Sequence, residues 1–434
     1  MPRTGRKATA RRERVALYSH DALGLGHMRR NLAIAEVLAR SGSRPVLLIA
    51  GAREATAFPM PPGVDCVALP ALRKRSNGRY APRSLDLPAE SLIGLRSRTI
   101  RAALESFGPD ALIVDKVPLG LGRELEPSLN SLRAGGRARL VLGLRDVLDV
   151  PATARREWRA MDCDAVVRDL YDSVWIYGDR RVYDPVAEYH FSHDVAVKAR
   201  YTGYLDRHAS RRRARLADAE ALRRMELPPG RLWLCLVGGG EDGYRLAKAF
   251  SGVDFPEDAS GAIVAGPFMS HRQVRDLRRL AQDRRRLGLL EFVEEPGGLI
   301  RQADSVVAMA GYNTTCEILS LRKRALVVPR IRTRREQLIR AERMRDLGLL
   351  ELLHPSRLSP ATLTEWLAAG PAAIRPAATR IDMGGLDRIP DLLDEVLLHK
   401  RASRRRAPRP RGAWRRTPAG AGSKKKPTAA RRVG

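Results

Sequence analysis

Short apolar runs alternate with helical segments along most of the chain. Residues 15–19 form the first apolar run, and a glycine-containing loop, a helical segment and a second apolar run follow it. Further runs of this kind occupy residues 109–115, 139–146, 232–237, 261–268, 305–310 and 325–328. Continuous apolar runs separated by helices are typical of strands in parallel sheets, because helices cover both faces of such sheets. The pattern therefore predicts an α/β protein.

One break in this alternation divides the chain into two halves. Residues 201–205 indicate a last short strand, and an arginine-rich helical segment and the sequence Pro-Pro-Gly follow. A chain of 434 residues is long enough for two domains, each with its own core. We expect a basic arm at 1–14, Rossmann-like domains at 15–205 and 206–385, a helix at 386–399 that crosses back to the first domain, and a basic disordered tail at 400–434.

Residues 305–348 contain the strongest chemical signal. Gly311 ends an apolar run there, and a helical segment follows that begins with the polar residues Asn313, Thr314 and Thr315. We expect Asn or Thr to cap this helix, whose first N–H groups would face an anion such as a phosphate. Glu317 could accept hydrogen bonds from a ribose diol. Ligands bind at the carboxyl ends of parallel strands, so this turn predicts a nucleotide site.

Two other glycine-containing loops also follow apolar runs. Three consecutive glycines, Gly238, Gly239 and Gly240, indicate a turn that faces a phosphate. Gly24 and Gly26 of the first loop would let backbone N–H groups approach a diphosphate or an acceptor closely. This first loop has no third glycine and no acidic residue at a ribose-binding position, so it is a weak dinucleotide motif.

The order of these segments resembles that of MurG-like GT-B glycosyltransferases, which carry a glycosyltransferase family 28 C-terminal domain. The similar segments are the Gly-x-Gly-His loop, the turn from Gly311 to Glu317, the VVP strand end and the Glu336-Gln337 pair. The resemblance implies two Rossmann-like domains that face a cleft. It also implies transfer of a hexose or N-acetylhexosamine from a nucleotide-sugar donor, which we expect to be UDP-linked, to an unknown acceptor, with no metal and no cofactor.

The resemblance also implies roles for individual residues. His27 would be the general base, with His20 as its competitor. Arg340 stands where the family often has asparagine, which indicates a different or an anionic sugar. The donor-binding residues would be Gly238, Gly239, Gly240, Val293, Gly311, Asn313, Thr314, Thr315, Glu317, Glu336, Gln337 and Arg340. The acceptor or phosphate loop would comprise Gly24, Gly26 and Arg29, together with the strand-end residues Asp115, Arg145 and Asp146.

The net charge of +30 would suit a nucleic-acid-binding protein, but most of it lies at the two ends. Residues 400–434 contain fourteen Lys or Arg and no acid, and residues 1–14 have a net charge of +5. The tails could bind nucleic acid or an anionic membrane surface, or they could simply be solvated. Four scattered cysteines and an N-terminus without an apolar segment predict a cytoplasmic protein, with peripheral contact at the inner membrane face as an extension of that prediction.

Two alternative functions remain open from the sequence. One is a UDP-sugar 2-epimerase of the same fold, which would need a distinct set of carboxylates and histidines near the donor. The other is a non-enzymatic protein that binds nucleic acid or a membrane surface through its tails. The sequence Asp162-Cys163-Asp164 has the spacing of a metal-binding DxD motif, but it lies in helical text away from any glycine-rich turn, so we assign no metal to it.

Overall fold

The computed structural model describes residues 11–20, 26–40, 43–51, 55, 58–74, 80–206, 220, 222–240, 242–293, 295–370 and 381–406. Gly24, most of the predicted basic arm and the predicted tail beyond residue 406 lie outside these ranges. In the described part of the chain, no helix is both long enough and apolar enough to cross a membrane.

The apolar runs of the first half form one parallel sheet. Its strands are β1 (Val15–Ser19), β2 (Val46–Ala50), β3 (Val64–Ala68), β6 (Ala111–Asp115), β7 (Arg139–Arg145), β8 (Ser173–Tyr177) and β9 (Ala199–Tyr201). Strands β4 (Leu72–Lys74) and β5 (Tyr80–Pro82) form a separate antiparallel pair. Among the described residues the seven strands of the parallel sheet follow the order β3-β2-β1-β6-β7-β8-β9.

Helices pack on both faces of this sheet. They are α1 (Gly26–Ala39), α2 (Ala89–Phe107), α3 (Glu126–Ala134), α4 (Pro151–Ala160), α5 (Cys163–Leu170), α6 (Pro185–Glu188) and α7 (His193–Lys198). Side chains that alternate along a strand enter different cores: Leu17 and Ile113 lie in one cluster, whereas Tyr18 and Leu112 lie in another. Burial of both faces explains why these strands are continuously apolar in sequence.

The second half repeats this architecture. Its strands are β10 (Arg231–Leu236), β11 (Ala259–Val264), β12 (Leu287–Leu290), β13 (Ser305–Ala308), β14 (Arg324–Val327) and β15 (Glu351–Leu352). Its helices are α8 (Tyr244–Ser251), α9 (His271–Gln282), α10 (Gly297–Gln302), α11 (Tyr312–Ser320), α12 (Glu336–Asp346), α13 (Pro360–Ala368) and α14 (Gly385–Arg406). The six described strands are parallel, in the order β12-β11-β10-β13-β14-β15. The predicted α/β fold with two parallel sheets is therefore confirmed.

The strand order places a crevice in each sheet. Strand β1 pairs with both β2 and β6, and β10 pairs with both β11 and β13. The chain leaves each of these central strands toward one side and later returns on the other side, which opens a crevice at the carboxyl ends of the strands. The glycine loops that follow β1 and β10 both lie at such a crevice.

The last helix joins the two halves. Leu386, Ile389 and Leu393 of α14 are buried in the same core cluster as Leu32 and Leu38 of α1. We expected this helix to end at residue 399, but it continues to Arg406, so residues 400–406 of the predicted tail are helical. Uninterrupted helix-compatible residues, without glycine or proline, explain this extension.

Candidate functional site

A cavity of about 550 Å³ lies between the two domains, where the carboxyl ends of the two sheets meet. The first domain contributes the start of α1 and the residues that end or follow β6 and β7. The second domain contributes the turn after β10, the start of α11 and the segment before α12. Of the predicted site residues, those that line the cavity are Gly26, His27, Arg29, Arg145, Gly238, Gly239, Val293, Gly311, Asn313, Thr314, Glu336 and Gln337.

His27 is held in a fixed orientation by Asp115. The Nδ1 atom of His27 lies 2.5 Å from Oδ2 of Asp115, and Arg30 donates to the other carboxylate oxygen, also at 2.5 Å. Burial raises the pKa of Asp115, but Arg30 and His27 outweigh burial and hold that pKa well below its usual range. Arg30 Nη2 also lies 2.9 Å from Nδ1 of His27, but the carboxylate, which only accepts hydrogen bonds, is closer and favours the tautomer with the hydrogen on Nδ1 and Nε2 as the proton acceptor.

The imidazole of His27 is neutral over the physiological pH range. Burial lowers the pKa of His27 to about 3, against the opposing effect of Asp115. His20 lies beside it, with ring centroids 5.7 Å apart in an edge-on arrangement. Burial also lowers the pKa of His20 well below its usual value, and Lys116 and His27 lower it further. Both rings can therefore accept a proton, but in the described part of the chain only His27 is hydrogen-bonded to a carboxylate.

The N-terminus of α11 faces His27 from the other domain. Gly311 is the N-cap residue, and no side chain caps the helix. Our expectation of an Asn or Thr cap is wrong, because Tyr312, Asn313 and Thr314 already belong to the first turn. The first backbone N–H groups of α11 are thus left without a side-chain acceptor. Uncapped N–H groups and the helix dipole together favour an anion at this position.

The glycine turn after β10 adds backbone to the same wall. Gly238 has φ of +64° and lines the cavity together with Gly239, so a side chain would be strained at the first of these positions. Gly240 does not line the cavity. A Cβ atom on Gly240 would clash with the carbonyl oxygen of Ala265, so close packing against the residue that follows β11 explains this glycine.

Arg330 organises the segment that precedes α12. It donates to Glu336 at 2.6 Å and to Asp242 at 2.9 Å, and its backbone N–H donates to the side-chain oxygen of Gln337 at 3.0 Å. Burial raises the pKa of Glu336, but Arg145, Arg330 and Arg340 together lower it below its usual value. Oε2 of Glu336 has no hydrogen-bond partner among the described residues, so this ionised carboxylate can accept from a ligand hydroxyl.

Lys116 lines the cavity but was missed in the sequence. It directly follows Asp115 at the end of β6, so the strand-end criterion that selected Asp115 would have found it. Burial lowers the pKa of Lys116 to about 7, and repulsion from Arg145 and Arg334 adds to that shift. Arg330 and Arg334 were also not predicted as site residues, because in the sequence they belong to a cation-rich loop in which nothing distinguishes them. Both line the cavity.

The structure places Arg340 and Asp146 away from the cavity. Arg340 is 1% exposed and donates to both carboxylate oxygens of Asp146, at 2.8 Å and 2.5 Å. It also donates to the carbonyl of Ala310. We expected Arg340 to contact the sugar and Asp146 to belong to the acceptor loop. Their pairing instead joins the two domains, because a buried guanidinium requires a carboxylate partner.

Glu317 and Thr315 also differ from the expectation. Both are buried within α11 and are absent from the cavity wall, because only the first residues of the helix face the cavity. Two other predicted residues contact the opposite domain directly: Arg29 donates to the carbonyl of Val293 at 3.0 Å, and Asn313 donates to the carbonyl of Gly26 at 3.1 Å. Among the described residues, no cluster of three His, Cys, Asp or Glu side chains could hold a metal ion.

Comparisons with known proteins agree with this architecture. Residues 264–383 match the glycosyltransferase family 28 C-terminal domain. The structure is similar to that of CalG4, the calicheamicin glycosyltransferase, with 16% identity over 92% of this chain and 100% of that one and a TM-score of 0.57. It is also similar to MurG from Acinetobacter baumannii, with 14% identity over 88% of this chain and 99% of that one and a TM-score of 0.54.

The same fold occurs in an enzyme of another class. The UDP-GlcNAc 2-epimerase from Neisseria meningitidis, solved bound to UDP-GlcNAc, has 13% identity over 90% of this chain and 100% of that one, with a TM-score of 0.55. A comparison with curated protein sequences gave no significant match. Likeness at these identities establishes the fold alone, which is the GT-B arrangement of two Rossmann-like domains. The family match covers residues 264–383, within the second domain, and the chain as a whole has the GT-B fold.

Proposed function

We propose that this enzyme transfers a hexose or N-acetylhexosamine from a UDP-sugar to an acceptor hydroxyl without a metal ion. The observation that carries the proposal is the position of His27, oriented by Asp115 behind it, opposite the N-terminus of α11 in one cavity. A proton acceptor on one wall and an anion-binding helix end on the other are the two groups that glycosyl transfer to a hydroxyl needs.

The residues supply each part of the transfer step. Nε2 of His27 takes the proton of the acceptor hydroxyl while the oxygen of that hydroxyl bonds to the anomeric carbon of the sugar. The bond from that carbon to the diphosphate oxygen breaks, and UDP leaves with the electron pair. Backbone N–H groups at the start of α11 and in the Gly238–Gly239 turn stabilise the charge that develops on UDP. Asp115 stabilises the imidazolium that forms.

The donor sugar lies against the segment before α12 in this proposal. Glu336 offers a free carboxylate oxygen to sugar hydroxyls, and the side-chain amide nitrogen of Gln337 can donate to them. Asp242 near the glycine turn would repel a diphosphate by itself, but Arg330 pairs with it. The UDP moiety of the donor follows from the family resemblance and from the UDP-sugar bound by the epimerase of the same fold.

Binding of UDP to the full-length protein tests the proposal directly. At a concentration of one hundred times Kd, UDP should stabilise the protein by about 2.7 kcal/mol, measured as a rise in Tm, whereas NAD and ATP should have much smaller effects. Equal stabilisation by NAD would contradict the proposal. Conversion of UDP-GlcNAc to its C2 epimer without an acceptor would instead identify an epimerase.

A further inference from the structure

Among the described residues, two cations of the cavity wall form no direct ion pair with a carboxylate. Lys116 and Arg145 lie at the ends of the neighbouring strands β6 and β7, and the backbone N–H of Lys116 donates to the carbonyl of Gly143 at 2.8 Å. Within the described residues, neither side chain forms a hydrogen bond or an ion pair. By contrast, Arg30 and Arg330 are each paired with a carboxylate. The two strand ends thus present cations whose charge Asp115 and Glu336 offset only from beyond ion-pair distance.

A third cation reaches the same space from the second domain. Arg334 is held by Asp149 at 3.2 Å and by Glu157 at 2.8 Å, both in the first domain. Repulsion from Arg145 and Arg334 lowers the pKa of Lys116, so the three cations lie close enough to interact. Such a cluster is costly to bury, and an anion bound among them would remove the cost.

The backbone at Lys116 is also unfavourable for an ordinary residue. Lys116 has φ of +68°, in the left-handed region that non-glycine residues rarely adopt. Thr333, the neighbour of Arg334, has φ of +66°. Strained residues persist where the surrounding structure holds a side chain in a required place, and they are common at ligand sites. Strain at Lys116 therefore fits a side chain that is aimed into the cavity for binding.

The donor does not account for these cations. Its diphosphate would lie at the start of α11 and the Gly238–Gly239 turn, both in the second domain, whereas Lys116 and Arg145 belong to the first. Lys116 follows Asp115, the residue that orients the proposed base. We propose that Lys116, Arg145 and Arg334 form an anion subsite that binds a carboxylate or phosphate group of the acceptor, next to its reacting hydroxyl. This inference rests on the proposed function, because the proposed function is what makes the first-domain wall of the cavity the acceptor site.

Calorimetry with inorganic phosphate tests the subsite in the full-length protein saturated with UDP. Phosphate should bind the wild type, and Lys116→Met and Arg145→Gln should each weaken that binding by about tenfold or more, because each removes a charged hydrogen-bond donor. Lys116→Arg keeps the positive charge and should bind phosphate about as tightly as the wild type. The matched control Arg332→Gln removes an exposed cation from the loop that carries Arg334 and should leave phosphate binding unchanged. UDP affinity should stay within about threefold in all variants.

Three results would overturn the proposal. Phosphate that binds all variants equally would show that no subsite exists. An equal loss of UDP affinity would assign the cations to the donor diphosphate. The third result is that UDP-glucuronate binds about tenfold more tightly than UDP-glucose to the wild type, but not to Lys116→Met. The cations would then bind an acidic group of the donor sugar instead of one on the acceptor. If UDP itself fails to bind, the proposed function fails, whereas phosphate binding that depends on Lys116 would still support the subsite.

Discussion

Burial gives His27 and Lys116 charge states that suit different tasks in one cavity. The pKa of His27 is lowered to about 3, so the ring is neutral and ready to take a proton. The pKa of Lys116 is lowered to about 7, so its charge is lost near neutral pH. Asp115, which directly precedes Lys116 in the chain, is paired with His27 and Arg30 and not with Lys116.

Replacement of His27 should separate catalysis from donor binding. We expect His27→Ala to lower turnover by about 10²–10⁴-fold, the usual contribution of a general base. Donor affinity should change little, because in the proposed function α11 and the glycine turn would hold UDP from the other domain. Turnover with a natural acceptor and UDP affinity by calorimetry are the two measurements. Loss of UDP binding in this variant would make His27 a phosphate ligand, and His20 would then be the candidate base.

The charge of Lys116 should make anion binding depend on pH. Its folded pKa of about 7 means that the ammonium is present below that pH and is lost above it, so sulfate affinity should fall as pH rises from about 6 to 8. The facing groups keep their charges: Arg145 and Arg334 stay cationic, and lowered pKa values keep Asp115 and Glu336 ionised. Sulfate titrations of UDP-saturated protein measure this. Lys116→Arg should show a flat profile, and a wild-type profile equally flat would contradict the prediction.

At the scale of elements, the residues at strand ends could be predicted from the sequence, but the side-chain pairs between distant segments could not. Asp115 and Arg145 were found because an apolar run visibly ends beside each of them. The partner of Asp115 is 88 residues away and that of Asp146 is 194 residues away, so no local pattern pairs them. The cap of α11 was mispredicted because local rules reward a polar side chain, whereas an uncapped turn leaves its N–H groups for a ligand.

The helix α14 should be essential, and the residues beyond it dispensable. Removal of 385–434 would expose the core around Leu32 and Leu38, because Leu386, Ile389 and Leu393 pack there. We expect that variant to lose its soluble fold.

Removal of 407–434 alone should leave Tm and UDP affinity unchanged, and should reduce retention on DNA or anionic lipid in a salt-dependent way. A lower Tm for the shorter deletion would show that the tail is structural.

At the scale of the molecule, the two domains share one core and several polar contacts. Tyr312 and Ala341 of the second domain are buried in the same cluster as Leu17 and Trp175 of the first. Around this cluster, side chains of one domain bind backbone or side chains of the other, through Arg29, Asn313, Arg334, Arg340 and Arg343. A continuous core makes separate unfolding of either domain costly, because each would expose apolar surface of the other. We therefore expect a single calorimetric transition.

The buried pair Arg340–Asp146 allows this cooperativity to be tested. Arg340→Met would leave Asp146 charged, buried and without its guanidinium, which should destabilise the protein by about 3–5 kcal/mol. Arg343→Met is the matched control: it breaks an interdomain pair with Glu188 at 2.8 Å that is largely exposed, so it should cost about 1 kcal/mol or less. Denaturant unfolding gives both values.

Two further observations decide how far Arg340 couples the domains. If the pair acts mainly by fixing the domains, Arg340→Met should broaden or split the transition, since the shared core alone then joins them. The double variant Arg340→Met with Asp146→Leu removes the stranded charge and should recover most of the lost stability, because apolar replacements of a buried ion pair are often tolerated. A double variant as unstable as Arg340→Met would mean that the orientation set by the pair, and not the uncompensated charge, is what the interface requires.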